Sequence, residues 1–327
     1  MFKLANAEEA KTKKATRAAY GETLAELFDE GVPIVAVDAD LSGSTTIAKF
    51  AAHSDEAAKR TFNVGIAEQN MIDVAAGLAL AGNVAFTGSF AVFGTGRAFD
   101  QIRNTVCYSN LDVKVAPTHS GVSVGPDGGS HQMLEDIALM RTLPRMRVLV
   151  PADYNSAKAA IRLAAKTPGP VYVRLGRAGV PAVYAEGSDF EIGQANVVRE
   201  GSDVTIVACG IEIREALLAA DILAAKGISA EVIDAFSIKP LDEATIVASA
   251  QKTGCVVTAE EHSVNGGLGE AVSHALGESH AVPLAMVGMR DMFGKSGELD
   301  ELLGYFHLDA EAIADAATKV YAKANNC

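Results

Sequence analysis

Residues 84–117 read VAFTGSFAVFGTGRAFDQIRNTVCYSNLDVKVAP. Two short runs rich in apolar residues, VAFTGS (84–89) and VKVAP (113–117), flank a helical pattern, RAFDQIRNTVCYS (97–109). Strands of this kind are buried on both faces of a sheet, and a connection long enough to hold a helix makes neighbouring strands parallel. The alternation extends in both directions. IVAVD (34–38) and the helical AEQNMIDVAAGLALAG (67–82) lie upstream, while RVLVP (147–151), NSAKAAIRLAAKT (155–167) and VYVRL (171–175) follow. The expectation is an α/β domain, doubly wound, with helices on both faces of a parallel sheet.

Past Pro181 the pattern lapses through AVYAEGSDFEIGQ (182–194), whose Gly, Ser and acidic residues suit a linker. A second alternation then runs VTIVACG (204–210), a helix over 212–225, AEVIDA (230–235), a helix after Pro240, GCVVTAEE (254–261), a helix from about Gly269, and LAMVG (284–288). It predicts a second parallel α/β unit. The expected division is therefore a domain over 12–182, a linker over 183–194 and a domain over 195–327, with no internal repeat.

Composition narrows the function. The chain has 327 residues, 49% hydrophobic, with 28 Lys+Arg against 41 Asp+Glu and a formal charge of −13. Such a balance repels phosphate backbones and anionic lipid, which argues against nucleic acid and membrane partners. Val74 to Gly96 carries no charge, but Gly82-Asn83 breaks it into a buried helix, a turn and a buried strand rather than a membrane span. The first residues, MFKLANAEEAKTKKA, lack the apolar core of a secretory signal. Four scattered cysteines (Cys107, Cys209, Cys255, Cys327) form neither a disulfide framework nor a zinc pattern, so a cytoplasmic location is expected.

The densest polar cluster is THSGVSVGPDGGSHQ (118–132), between an expected strand and an expected helix. Loops at the carboxyl ends of strands are where open α/β sheets bind ligands. Its glycines let His119, Asp127 and His131 converge. Three readings stand open for these side chains: hydrogen-bonding groups for a polyhydroxylated, phosphorylated substrate, metal ligands, or loop structure alone. Their spacing matches no compact metal motif. Glu68, at the start of an apolar helix, reads either as a favourable first-turn carboxylate or as a buried catalytic one. Phe90 and Phe93 read as core residues or as a shelf for a flat ring. GGLGEA (266–271) opens a helix, and its glycines serve either tight packing or a phosphate cradle, packing being favoured because the GxGxxG spacing is missing.

FNVGIAEQNM (62–71), GSFAVFGTGRAFDQIR (88–103), THSGVSVGPDGGSHQMLEDIALMR (118–141), VLVPAD (148–153) and VYVRLGRAGVP (171–181) together resemble the pyrimidine-binding domain of the transketolase family of thiamine diphosphate enzymes. VIDAFSIKPLD (232–242) and VVTAEEHSVNGGLG (256–269) resemble that family's C-terminal domain. The resemblance implies two doubly wound domains, the first holding the cofactor's aminopyrimidine. It implies that Glu68 hydrogen-bonds N1′ of that ring, that Phe93 stacks on it with Phe90 beside it, and that Asp40, Leu41 and Ile66 line the cofactor cleft. It further implies that His131 and Asp127 contact substrate oxygens near the reacting centre, and that Arg17, Ser44, His119 and Arg177 grip the sugar phosphate. Glu68 and His131 are then the catalytic pair. No residue of this chain is implied as a metal ligand.

The family's GDG motif, which holds the diphosphate with Mg²⁺ (or Ca²⁺ or Mn²⁺), is missing from the sequence. ATRAAYGETL (15–24) corresponds to the passage into the pyrimidine-binding domain. The resemblance thus implies a split transketolase, active with an N-terminal subunit carrying GDG, in a two-plus-two heterotetramer. The activity implied is transfer of a two-carbon ketol unit from a ketose phosphate to an aldose phosphate, the particular sugars being unspecified. Two departures from the family pattern touch the pocket edge: Gly96 stands where Tyr is usual, and GPDGGSHQ replaces GEDGPTHQ. Rival readings are deoxyxylulose-phosphate synthase, which usually has Asp at the position of His119, and the beta subunit of a 2-oxo-acid dehydrogenase. A non-catalytic regulatory partner is a third, at odds with intact Glu68, His131 and Arg177.

Overall fold

In the computed structural model, which describes residues 2–325, the first part of the chain supplies β1 (Lys13–Ala15), β2 (Ile34–Asp38), β3 (Thr61–Asn63), β4 (Val84–Thr87), β5 (Val113–Val115), β6 (Arg147–Leu149), β7 (Val171–Val173) and β8 (Gly179–Pro181). The second part supplies β9 (Asn196–Arg199), β10 (Val204–Ala208), β11 (Ala230–Asp234), β12 (Ser237–Lys239), β13 (Val256–Ser263) and β14 (Leu284–Met289). Cys327 and the end of the expected second domain lie outside the described residues. The apolar runs form strands because each is covered on both faces: every residue of β2, β4, β5, β7, β10 and β11 is buried.

A seven-stranded sheet has the order β12-β6-β7-β5-β4-β2-β3, and a five-stranded sheet the order β14-β13-β10-β11-β9. Both are doubly wound α/β layers, with one correction to the expected wholly parallel pairing. β12 runs antiparallel to β6, and β9 antiparallel to β11. These are edge strands of three and four residues, too short to show in the apolar pattern. β1 and β8 form a separate antiparallel pair.

β12 also stitches the halves together, since it comes from the second part of the chain and extends the first sheet. The segment between the sheets is irregular, yet it is built into the core. Tyr184 is fully buried, donates to Asp234 Oδ2 at 2.5 Å, and its backbone N–H meets Asp153 Oδ2 at 2.8 Å. Phe190 packs with its ring centroid 4.6 Å from that of Phe236. One apolar cluster accordingly joins Leu24, Phe86 and Leu149 to Ile206 and Ile313, and another joins Ile72 and Val148 to Val207 and Ile233.

The expected helices form at Glu68–Leu80, Tyr154–Lys166, Glu212–Ala225, Glu243–Thr253 and Leu268–Ser279. Asp153 caps the second of these through Ser156 N–H at 2.8 Å, a typical first-turn anchor. Of two further helices, Ala310–Asn325 covers the second sheet, while Leu299–Phe306 packs against the Val122–Asp127 loop of the first half. The pattern over 97–109 forms instead as two wide π-type turns, Val92–Arg97 and Ile102–Cys107, around a short α-helical piece at Phe99–Gln101. Among the described residues no helix is long and apolar enough to cross a membrane.

Candidate active site

The chain passes from β2 to β3 on one side and then returns to place β4 on the other side of β2, so the strand order reverses between β2 and β4. A crevice at the carboxyl ends of the strands follows from that reversal. Immediately past β2, β4 and β5, three non-glycine residues hold positive φ: Asp40 (65°), Ser89 (79°) and His119 (64°). Such backbone is strained for L-residues and is retained where surrounding contacts impose it.

Asp38 imposes the first of these turns. Fully buried, it accepts from Leu41 N–H at 2.6 Å and from Thr45 Oγ1 at 3.2 Å. Burial pushes its carboxyl up from the ordinary range. A Cβ on Gly88 would sit 2.5 Å from Asp38 Oδ2, so β4 reaches this turn only as glycine. Asp40 then lies exposed on the rim, with Asn63 Nδ2 donating to it at 3.3 Å. Ile66 is also on the rim, 78% exposed, and Leu41 is half-buried.

Glu68 occupies the first turn of its helix, where a carboxylate is favourable, but its side chain points inward and is 2% exposed. Arg97 Nη1 donates to its Oε2 at 2.8 Å. The same guanidinium lies 4.8 Å from the centre of the Phe93 ring, a cation–π distance. Phe93 is half-buried and meets His131 edge-to-face, with centroids 5.5 Å apart and planes at 80°. Phe90 is sequestered: it stacks on His119 at 3.7 Å and is buried beneath it.

His119 is 2% exposed. Its Nδ1 lies 2.6 Å from Thr118 Oγ1, and its Nε2 lies 3.4 Å from Arg17 Nη1. Arginine is a donor only, so Nε2 is the acceptor and the proton sits on Nδ1. Burial first, then Arg17, Arg177 and His131, push the imidazole down to about 3. Both ring nitrogens of His119 thus have protein partners, and among the described residues no group of three or more His, Cys, Asp or Glu is placed to hold a metal ion.

Arg17 also donates to Ser44 O at 2.7 Å, and Arg177 donates to Val124 O at 3.0 Å. Burial and the charge of Arg177 push Arg17 down, while Asp127 opposes them. Arg17, Ser44, His119, Asp127 and Arg177 therefore share one electrostatic neighbourhood. An open cleft of about 650 Å³ lies against it, lined by Lys13, Arg17, Ser123, Gly125 and Arg177 together with Glu298 and Leu299 from the second half.

Two groups that the residue pattern does not single out hold this loop. Glu261, 3% exposed on β13, accepts from Ser123 N–H, and Gln132 Nε2 donates to Val122 O at 3.0 Å and Lys295 O at 2.9 Å. Arg97 likewise carries no signal in the sequence that sets it apart from a surface arginine. In GGLGEA the helix N-terminus is filled by protein: Glu260 accepts from Leu268 N–H at 2.7 Å and Gly269 N–H at 2.8 Å. A Cβ on Gly267 would come 2.0 Å from Glu260 Oε2, so the glycine serves close packing.

A buried carboxylate with an aromatic face beside it, joined through Phe93, Phe90 and His119 to Arg17 and a cleft where Lys13, Arg17 and Arg177 face Glu298, Asp300 and Glu301, can bind a flat nitrogen heterocycle next to a polar polyol. Glu68 and Phe93 thus fit the aminopyrimidine of thiamine diphosphate.

Comparison with known proteins covers the stretch of chain that carries these residues. Residues 12–182 match the family described as transketolase, pyrimidine binding domain, and residues 193–313 match transketolase, C-terminal domain. A 6-deoxy-6-sulfo-D-fructose transketolase subunit from a Clostridium species is 43% identical over 94% of this chain and 95% of its own length. An apulose-4-phosphate transketolase subunit of Phocaeicola vulgatus is 39% identical, covering 94% of this chain and 98% of that protein. A solved structure described as a split gene transketolase, inactive beta4 tetramer, superposes with a TM-score of 0.86 at 48% identity, covering 95% of this chain and 99% of that one.

Proposed function

The chain belongs to the transketolase family, and from that premise we propose that it is the catalytic half-site subunit of a split, thiamine-diphosphate-dependent transketolase. The observation that carries this reading is the pairing of buried Glu68 with the Phe93 ring through Arg97, beside the Arg17–Arg177 cleft. When bound, the cofactor supplies the electron sink that lets a ketose give up a two-carbon unit to an aldose.

This chain's residues bind and orient. Glu68 meets the ring nitrogen of the pyrimidine and holds or releases a proton there. Phe93 offers its face to the ring, with Phe90 stacked beside it at 6.2 Å. Asp40, Leu41 and Ile66 form the rim. His131 and Asp127 hydrogen-bond substrate hydroxyl and carbonyl oxygens, while Arg17 and Arg177 bind the terminal anion with planar forks suited to phosphate. With its acceptor nitrogen on Arg17, His119 orients that guanidinium, and Ser44 anchors it from the other side.

A second chain with the GDG motif would hold the cofactor's diphosphate and the metal ion, Mg²⁺ (or Ca²⁺ or Mn²⁺), in a two-plus-two assembly. Relatives matched over nearly their full length bear names of subunits, which supports this arrangement. They also carry different sugars in their names, one a sulfonate and one a phosphate, so the ketose and aldose taken here are anionic sugars of that class. Sugar phosphate substrates and buried free thiols at Cys107, Cys209 and Cys255 suit the cytoplasm.

The test is titration of thiamine diphosphate with Mg²⁺ into this chain alone and into the chain assembled with an N-terminal transketolase section. Binding and ketol transfer are expected only in the assembly, and Glu68→Gln is expected to abolish most turnover there. Tight binding by the chain alone sinks the split-site reading.

A further inference from the structure

Glu68 has one side-chain partner among the described residues, Arg97. The two differ sharply in exposure, 2% for the carboxylate and 50% for the arginine side chain, so Arg97 reaches from solvent down to a buried oxygen. Its contact is with Oε2 at 2.8 Å; Oε1 carries no hydrogen bond from the described residues. The guanidinium also sits over Phe93 at 4.8 Å. One side chain therefore touches both groups that face the aminopyrimidine.

The local backbone favours this arrangement. Arg97 closes the π-type turn Val92–Arg97, a geometry that recurs at functional sites because it re-aims side chains within a helix. Phe93 and Arg97 both belong to that turn. Gly96, next to it, is exposed, and a Cβ there would meet nothing within 4 Å.

We propose that Arg97 is a positioning residue for the cofactor site: it pins Glu68 through Oε2, braces that carboxylate against Phe93, and leaves Oε1 as the oxygen that meets the pyrimidine ring nitrogen. This rests on the reading of Glu68 as the pyrimidine contact. Lysine cannot replace it fully, because a point charge on a flexible stem lacks the planar fork that holds a carboxylate and an aromatic face together.

The experiment compares Arg97→Met, Arg97→Lys and Glu68→Gln in the assembled enzyme, reading thiamine diphosphate affinity by calorimetry, kcat, sugar phosphate KM and the thermal midpoint. Arg97→Met is expected to weaken cofactor binding about tenfold through loss of one charge-assisted contact. Its kcat is expected to fall by up to about a hundredfold, the cost of a small misplacement of a reacting group, with sugar phosphate KM within about twofold of wild type. Arg97→Lys is expected to recover part of kcat. Wild-type cofactor affinity and kcat in Arg97→Met, alongside a dead Glu68→Gln, overturn the role of Arg97 alone. A lowered thermal midpoint with unchanged cofactor affinity overturns it too, by showing a merely structural pair. Full turnover in Glu68→Gln overturns the reading of Glu68 and this inference with it.

Discussion

Glu261 accepts a 3.0 Å hydrogen bond from the backbone N–H of Ser123, so a carboxylate of the second sheet holds the loop that bears Asp127. Its other oxygen lies 3.3 Å from Arg174 Nη1, and Arg174 Nε donates to Asp136 at 2.8 Å. A Cβ on Gly121 would come 2.1 Å from Glu261 Oε2, which leaves no room for a side chain at that turn. Glu261→Ala leaves Ser123 N–H without an acceptor and Arg174 with one carboxylate fewer. Urea denaturation at neutral pH is expected to show a loss of about 3–5 kcal/mol. Glu261→Gln, which keeps an acceptor, is expected to lose only about 1–2 kcal/mol.

His119 gives the fold a dependence on acid. Its folded-state value is about 3, against 6.5 for an unperturbed imidazole. As pH falls below about 6.5 the unfolded chain takes up a proton that the folded chain refuses. Stability from this group is therefore present above about 6.5 and drains away toward about 3. His262, pushed down to about 4 chiefly by burial, acts with the same sign. Stability measured from pH 7 to pH 4 is expected to fall less steeply in His119→Gln than in wild type; an unchanged slope contradicts a neutral, buried His119.

Asp234 acts with the opposite sign. Burial pushes it up to about 7, Tyr184 donates to its Oδ2 at 2.5 Å, and its Oδ1 is buried without a partner among the described residues. Its folded pKa exceeds the unfolded one, so its contribution is full below about 4 and is lost as pH rises through about 7. Asparagine resembles the protonated acid in shape. Asp234→Asn is expected to match wild type near pH 4, to exceed it increasingly as pH rises toward 7 and to exceed it by the full amount at pH 8, as read from denaturation midpoints across that range.

Arg177 donates to Val124 O and lines the cleft beside Arg17. Removing its fork in Arg177→Gln is expected to raise the KM for a sugar phosphate in the assembled enzyme. The rise expected is between about tenfold and a hundredfold, the worth of one charge-assisted contact of about 1.5–3 kcal/mol. Cofactor affinity, measured by titration, is expected to stay at the wild-type value. A matched loss for a substrate without a terminal anion contradicts an anion-binding role.

Much of the architecture was legible because it is local. Apolar runs such as IVAVD and VTIVACG become strands through burial on both faces, and helices between them impose parallel neighbours. The polar loop over 118–132 and the carboxylate of Glu68 at a helix start stand out against their own neighbours in the chain, but that Glu68 turns inward was decided by the tertiary structure. Linear pattern alone left GGLGEA with two readings, and only the carboxylate of Glu260 at its helix N-terminus decides for packing.

What tertiary structure alone decided are pairings across long stretches of chain. β12 leaves its own half to meet β6, 88 residues away between Ser237 and Leu149, because three residues carry too little periodicity to announce an edge strand. Arg97 meets Glu68 across 29 residues, and Glu261 meets Ser123 across 138. Neither arginine nor carboxylate differs, in one dimension, from the charged residues that cover any helix or strand end. The carboxylates of Glu68 and Glu261 take their roles from the low-dielectric places into which the fold buries them, where a charge must find a partner, and a partner fixed in position, such as Arg97, becomes part of a site.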